Sequence, residues 1–85
     1  MLYGAEMRVE RHWWNGNRTG PERRDVYLRT DGEGWEVVAQ VGGTDGRSTV
    51  QECPSRAAAL ILANAYLGGH WTWRELQPDR SPSGR

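Results

Sequence analysis

From Ala5 to Trp14 the side chains alternate, with Ala5, Met7, Val9, Arg11 and Trp13 on one side and Glu6, Arg8, Glu10, His12 and Trp14 on the other. That period of two predicts a half-buried strand with its odd positions facing inward, because successive side chains of an extended chain point to opposite faces. "NGN" at residues 15–17 and "GP" at residues 20–21 predict a turn, since Asn and Gly tolerate positive φ and Pro fixes its own. A second strand follows at "DVYLRT", with Val26 and Leu28 on one side and Tyr27 and Arg29 on the other. "DGEG" separates it from "WEVVAQV", where Trp35, Val37, Ala39 and Val41 share a face, and "GGTDG" separates that from "RSTVQEC". Short glycine-rich links between alternating runs are hairpin signals. The last of these runs, Arg47 to Cys53, is the polar one, which predicts a strand at a sheet edge.

At "CPSRAAALILANAYLGG" the period changes from two to about 3.6. The pattern predicts a helix over Ser55 to Leu67, opened by Pro54 or Ser55 and closed by Gly68 and Gly69, with Ala58, Ile61, Leu62 and Ala65 as its inward stripe. "HWTWREL" alternates again, so residues 70–76 are either a short fifth strand or a tail that folds over something. The expected fold is α+β: a three- to four-stranded antiparallel meander with one C-terminal helix across its inner face, in the order ββββα. One helix covers one side of a sheet and leaves the other bare.

The chain has 85 residues, which is too little for two independent cores, so a single domain is expected over residues 1–76. Residues 77–85, "QPDRSPSGR", carry no apolar anchor and are expected to be a disordered tail. Net charge is zero, and it is spread evenly: +2 over residues 1–30, −3 over 31–56 and +1 over 57–85. That is a poor field for recruiting a polyanion. Every basic residue is Arg, so each cation is a planar fork suited to bidentate contacts. Cys53 stands alone, which rules out an intrachain disulfide and points to a reducing, cytoplasmic setting. No run approaches the roughly 18 apolar residues that a membrane-spanning helix needs.

Catalytic chemistry has few candidates. His12, His70 and Cys53 are far apart in the chain and lack the spacing of a metal site. Cys53 stands just before a helix start, a place that can activate a thiol, but a lone Cys at a strand end is usually a small buried hydrophobe, so no catalytic residue, metal or cofactor is assigned. "GEG" and "GGTDG" join strand to strand and lack the helix N-terminus that a phosphate cradle uses. The informative constellation is the outward sheet face, with Trp14, Tyr27, Arg29, Val38, Gln40 and, by register, Arg47 or Val50. Aromatics beside arginine serve protein hot spots and base stacking equally.

The first expectation is therefore a non-enzymatic binding module. A protein partner or a second copy would dock on the Trp-bearing face or on the segment holding Trp71 and Trp73. The alternative is a nucleic-acid-binding domain, with Arg18, Arg23, Arg24 and Arg29 on phosphates and Trp14 and Tyr27 as stacking platforms. A third arrangement has Trp71 and Trp73 folding back over the outer face as a second small core.

The order of strands and helix, with "GWEVVAQV", a glycine-rich turn and "RSTVQECPSRAAALILANAY", resembles the plant-type AP2 and phage-integrase arm DNA-binding domains. Trp35, Arg47, the Ala57 to Ala59 run and Tyr66 carry the resemblance, which covers roughly residues 26 to 67. It implies a three-stranded sheet with a helix behind it and DNA as the partner. This chain departs from that pattern in having Glu36, Gln40, Thr49 and Gln51 where the family carries basic residues along the sheet.

Overall fold

The computed structural model describes residues 6–18, 20–43, 46–69 and 72–76. β1 (Arg8–Trp14), β2 (Arg24–Thr30), β3 (Trp35–Val41) and β4 (Arg47–Cys53) form an antiparallel meander. The helix α1 (Arg56–Tyr66) then packs across β2, β3 and β4, and β5 (Arg74–Leu76) pairs antiparallel with β1. The sheet order is β4-β3-β2-β1-β5, so the helix carries the chain from one edge of the sheet to the other. The fold is α+β as the pattern predicts, and "HWTWREL" supplies a fifth strand from its last three residues.

Register fixes what each face holds. Trp13, Val26, Ala39 and Thr49 lie in one row, and Arg11, Leu28, Val37 and Gln51 in the next. These rows face the helix, and Trp13, Val26, Leu28 and Val37 form the core with Ala59 and Ala63. Leu28 and Val37 are completely buried. The opposite face carries the rows Trp14, Asp25, Gln40, Ser48 and His12, Tyr27, Val38, Val50.

Two details differ from the sequence pattern. In β1 the register shifts between Val9 and Arg11, leaving Glu10 as an extra residue. A bulge of one residue reverses the phase of everything before it. Val9 therefore pairs with Arg29 on the outer face, while Arg11 and Trp13 keep the inner one. The bulge is put to use, because Arg56 Nε at the start of the helix donates to Glu10 Oε1 at 2.9 Å. On the other flank Arg11 donates twice to Glu75, at 2.8 and 2.7 Å, and clasps β5 to β1.

The second difference is the helix face. Its ends fall where the caps predict, with Ser55 Oγ accepting from the Ala58 amide at 3.1 Å and the Leu67 amide donating to Ala63 and Asn64. Its buried residues, however, are Ala59 and Ala63, whereas Ile61 is 72 % exposed and Ala65 is also exposed. The stripe is turned by one residue, about 100°. Two alanines against Leu28 and Val37 let the helix backbone settle close to the sheet, with Leu60, Leu62 and Tyr66 filling the flanks. A stripe centred on Ile61 would hold the helix further off a sheet that already carries two tryptophans on that side.

Leu28→Ala is expected to cost about 3 kcal/mol, as truncation of a fully buried leucine does. Ile61→Ala should stay within about 0.5 kcal/mol, as surface changes do. Urea unfolding of the two variants checks both, and a large loss from Ile61→Ala would contradict the helix orientation.

Candidate functional site

The outer face is built by β1, β2 and β3, and its sharpest feature is Trp14 at the end of β1. Trp14 Nε1 donates to the Asn17 carbonyl at 2.7 Å, which holds the ring against the loop that follows. Three guanidinium groups surround that ring: Arg23, Arg18 and Arg74 lie 5.2, 5.8 and 5.9 Å from its centroid. Each is within the range where a cation is drawn to an indole face. Arg74 comes from β5, so the fifth strand completes the cluster.

The loop that delivers Arg18 and Arg23 is organised by Asn15, which is buried. Its side-chain carbonyl accepts from the amides of Asn17 and Arg24, and its side-chain amide donates to the Glu22 carbonyl at 2.9 Å. A turn-forming residue in the sequence is thus the internal scaffold of the whole connection, closed by a single 3₁₀ turn at Gly20–Glu22.

Beside Trp14, opposite it on β2, lies Asp25, also buried. Arg23 donates to both of its oxygens, from Nε at 2.7 Å and from Nη2 at 3.0 Å, and His12 Nε2 sits 2.8 Å from Oδ2. An ionised carboxylate only accepts, so Nε2 carries the proton of that bond. Burial alone would raise Asp25, but the bonds from Arg23 and His12 outweigh it and hold the carboxyl below its ordinary range. The His12 ring stacks on Tyr27 with centroids 4.2 Å apart. Burial, reinforced by the charge of Asp25, raises the Tyr27 phenol, which therefore stays an O–H donor at neutral pH. Further along, Arg29 pairs with Glu36, its Nε donating at 3.1 Å.

A cleft of about 270 Å³ opens on this face between Arg18, Arg23, Asp25, Tyr27, Gln40 and the Gly42–Gly43 turn. A larger one of about 470 Å³ lies on the helix side, against Val26, Ala39, Thr49, Tyr66 and Trp73, and its surface is mainly apolar. Asp25 and Gln40 border both clefts; the smaller one adds Arg18, Arg23 and the Tyr27 ring on the face that the helix leaves open, and it is there that charged groups converge.

The residues singled out in the sequence are divided between the two faces. Trp14, Tyr27, Arg29, Arg18 and Arg23 come together on the outer face. Arg24 does not join them: it borders the helix-side cleft, with Nη1 donating to the carbonyls of Pro21 and Arg23. Trp73 packs against the core on the helix side, its Nε1 donating to the Gly68 carbonyl, so it does not cover the outer face. The strand that follows it must reach β1, and this route leads along the helix side. Trp71, His70 and residues 77–85 lie outside the described residues. His12 and Asp25 belong to this site although the pattern gave them no role; only strand register brings them together.

Cys53 is half-buried at the end of β4 and faces the helix, while His12 faces outward on β1, with β2 and β3 between. Among the described residues no group of His, Cys, Asp and Glu is placed to hold a metal ion, and no helix is long and apolar enough to cross a membrane. No protein-family model, curated protein or solved structure matches the chain.

The depressed Asp25 gives a pH prediction. A carboxyl held lower in the folded chain than in the unfolded one contributes stability above its unfolded pKa of about 3.9. That contribution is lost as pH falls through the folded value. Asp25→Asn should therefore cost about 2 kcal/mol at neutral pH, the scale of a hydrogen bond to a charged group, and progressively less below about pH 4. Urea unfolding of both chains across that range tests it, and a gap independent of pH would remove Asp25 as its source.

Proposed function

We propose that this chain is a non-enzymatic binding module that docks a protein partner on the outer face of its sheet, centred on Trp14. One observation carries the reading: an aromatic and arginine-rich sheet face with neither the helix nor Trp73 over it. Interface hot spots are enriched in tryptophan, tyrosine and arginine, and this face offers Trp14, Tyr27, Arg18 and Arg23 in one cluster, bordered by Val38 and Val50. Pre-formed contacts hold those side chains in place before a partner arrives, which lowers the entropy that binding must overcome. A cytoplasmic setting, where the Cys53 thiol stays reduced, goes with this reading.

Charge favours protein over polyanion. Arg23 and Arg29 are already paired with Asp25 and Glu36, and Glu52 lies at the far end of the same face. Nucleic-acid affinity comes largely from cations that displace counterions from phosphates, and two of the four arginines on this face are neutralised beforehand. Nucleic acid stays the second reading because of Arg18 and Arg74, which flank Trp14 and pair with no carboxylate among the described residues.

Capture of partners on immobilised chain separates the cases. Wild type and Ile61→Ala, altered on the exposed helix surface, should retain the same protein, while Trp14→Ala weakens retention by about thirtyfold, as loss of a hot spot does. Equal retention by a Trp14→Ala chain with an unchanged circular dichroism spectrum would sink the reading. Light scattering of wild type at rising concentration shows whether the partner is a second copy.

Duplex and single-stranded probes should show no binding at low salt. Binding that falls steeply between about 50 and 200 mM salt, and is lost on replacing Arg18 and Arg74, would instead favour nucleic acid.

A further inference from the structure

We propose that the cleft beside Trp14 is a carboxylate socket, which takes an aspartate or glutamate side chain of the protein partner with Arg18 as its anchoring residue. The inference rests on the protein-binding reading of this face and names the chemistry of the contact.

Size gives the first argument. Pockets for whole small molecules run from about 300 to 1,000 Å³, and this cleft of about 270 Å³ lies at the small end of that scale. A single side chain fits the space better than a cofactor does.

The hydrogen-bonding inventory is one-sided. Asp25 has both oxygens engaged, by Arg23 and His12, so the one carboxylate lining the cleft has little left to offer a ligand. The donors remain. Arg18 lines the cleft with its guanidinium joined only to the Trp14 ring among the described residues. Arg23 keeps Nη1 outside its fork with Asp25, and the Tyr27 hydroxyl makes no hydrogen bond among the described residues. Set against these charged donors, the lining keeps only neutral side-chain acceptors, Gln40 Oε1 and the Tyr27 oxygen, so the balance favours an anion, and a guanidinium fork matches a carboxylate in two parallel bonds.

Charge then selects which anion. Arg18 and Arg23 set against Asp25 leave one net positive charge in the lining. A monoanionic carboxylate neutralises it. A dianionic phosphate would leave a negative excess beside a buried carboxylate whose charge is already committed.

The opposite wall is made to be approached. Gly42 and Gly43 both have positive φ, at 92° and 72°, and present bare backbone to the cleft. That turn is fixed by the Gly42 amide donating to the Arg23 carbonyl at 2.8 Å and by Gln40 Nε2 donating to the Gly43 carbonyl at 2.6 Å. A side chain entering beside Trp14 meets a wall of fixed position, and at Gly43 no Cβ projects toward Arg23.

Heteronuclear NMR on the full chain tests the socket, with sodium acetate as probe and sodium chloride matching the ionic strength. Saturable shifts are expected at the Trp14 indole N–H and the Gly42 and Gly43 amides. Arg18→Gln should weaken acetate binding by about tenfold, the equivalent of one charge-assisted hydrogen bond. Arg18→Lys should recover part of it, and Arg47→Gln, on the helix side, should leave it unchanged. Shifts that chloride reproduces, acetate binding that survives Arg18→Gln, or inorganic phosphate binding more tightly than acetate would each overturn the proposal. A flat acetate titration in a chain that still captures its partner through Trp14 removes the socket and leaves the protein-binding face standing. Saturable acetate binding in a chain whose capture is indifferent to Trp14 removes the partner as the source of the carboxylate.

Discussion

Among the described residues a single α-helix of eleven residues has to serve a sheet of five strands, and that shortage shapes the rest of the structure. At about 1.5 Å per residue the helix reaches some 16 Å, enough for the middle of one sheet face. It is set down where burial returns most, over Leu28 and Val37, and Ala59 and Ala63 bring it close. The rest of that face is closed by large side chains at the periphery, with Trp13 and Trp35 in the sheet and Trp73 coming in after the helix. Among the described residues nothing comparable covers the other face, and its side chains must be stable in contact with water.

The outer face meets that requirement with polar chemistry. Asp25 is buried under Arg23 and His12, Glu36 under Arg29, and the His12 ring lies on Tyr27. Breaking a buried pair leaves an uncompensated charge, so each group fixes the position of the next. The arrangement gives the face its stability and also its readiness: Arg23 is held by the bonds that satisfy the buried carboxylate, Trp14 by its bond to the Asn17 carbonyl, and Arg18 lies against the Trp14 ring. A binding surface and a substitute for a second layer are here the same set of side chains.

Strand positions, helix ends and the assignment of Trp13 to the core were legible because each depends on local rules. Alternation sets the strands, Ser55 caps the helix, and glycines mark the turns. The inward stripe of the helix was not legible, because Ala58, Ile61, Leu62, Ala65 and Ala59, Leu62, Ala63, Tyr66 have the same spacing and differ only by a rotation. The hydrophobic signal favoured Ile61, whereas close packing against the sheet favoured alanine. The bulge at Glu10 was equally hidden, since an extra residue leaves no mark on composition and is stabilised by distant partners, Arg56 and, beside it, Glu75 with Arg11.

The candidate site divides in the same way. That Trp14 faces away from Trp13 follows from the strand period alone, as does the outward direction of Tyr27 and Arg29. That His12 and Asp25 meet, that Arg18 and Arg23 from one loop and Arg74 from β5 converge on one indole ring, and that Trp73 goes to the helix side were decided by tertiary structure. The sequence by itself determined the alternation that sets Trp14, Tyr27 and Arg29 opposite Trp13, Val26 and Leu28, because the pleat of a strand is a property of the backbone, whereas the bulge that turns Val9 outward was decided by tertiary contacts. Which of those residues become neighbours depends on the register between strands and on the path taken after the helix, and both are set by contacts between residues far apart in the chain.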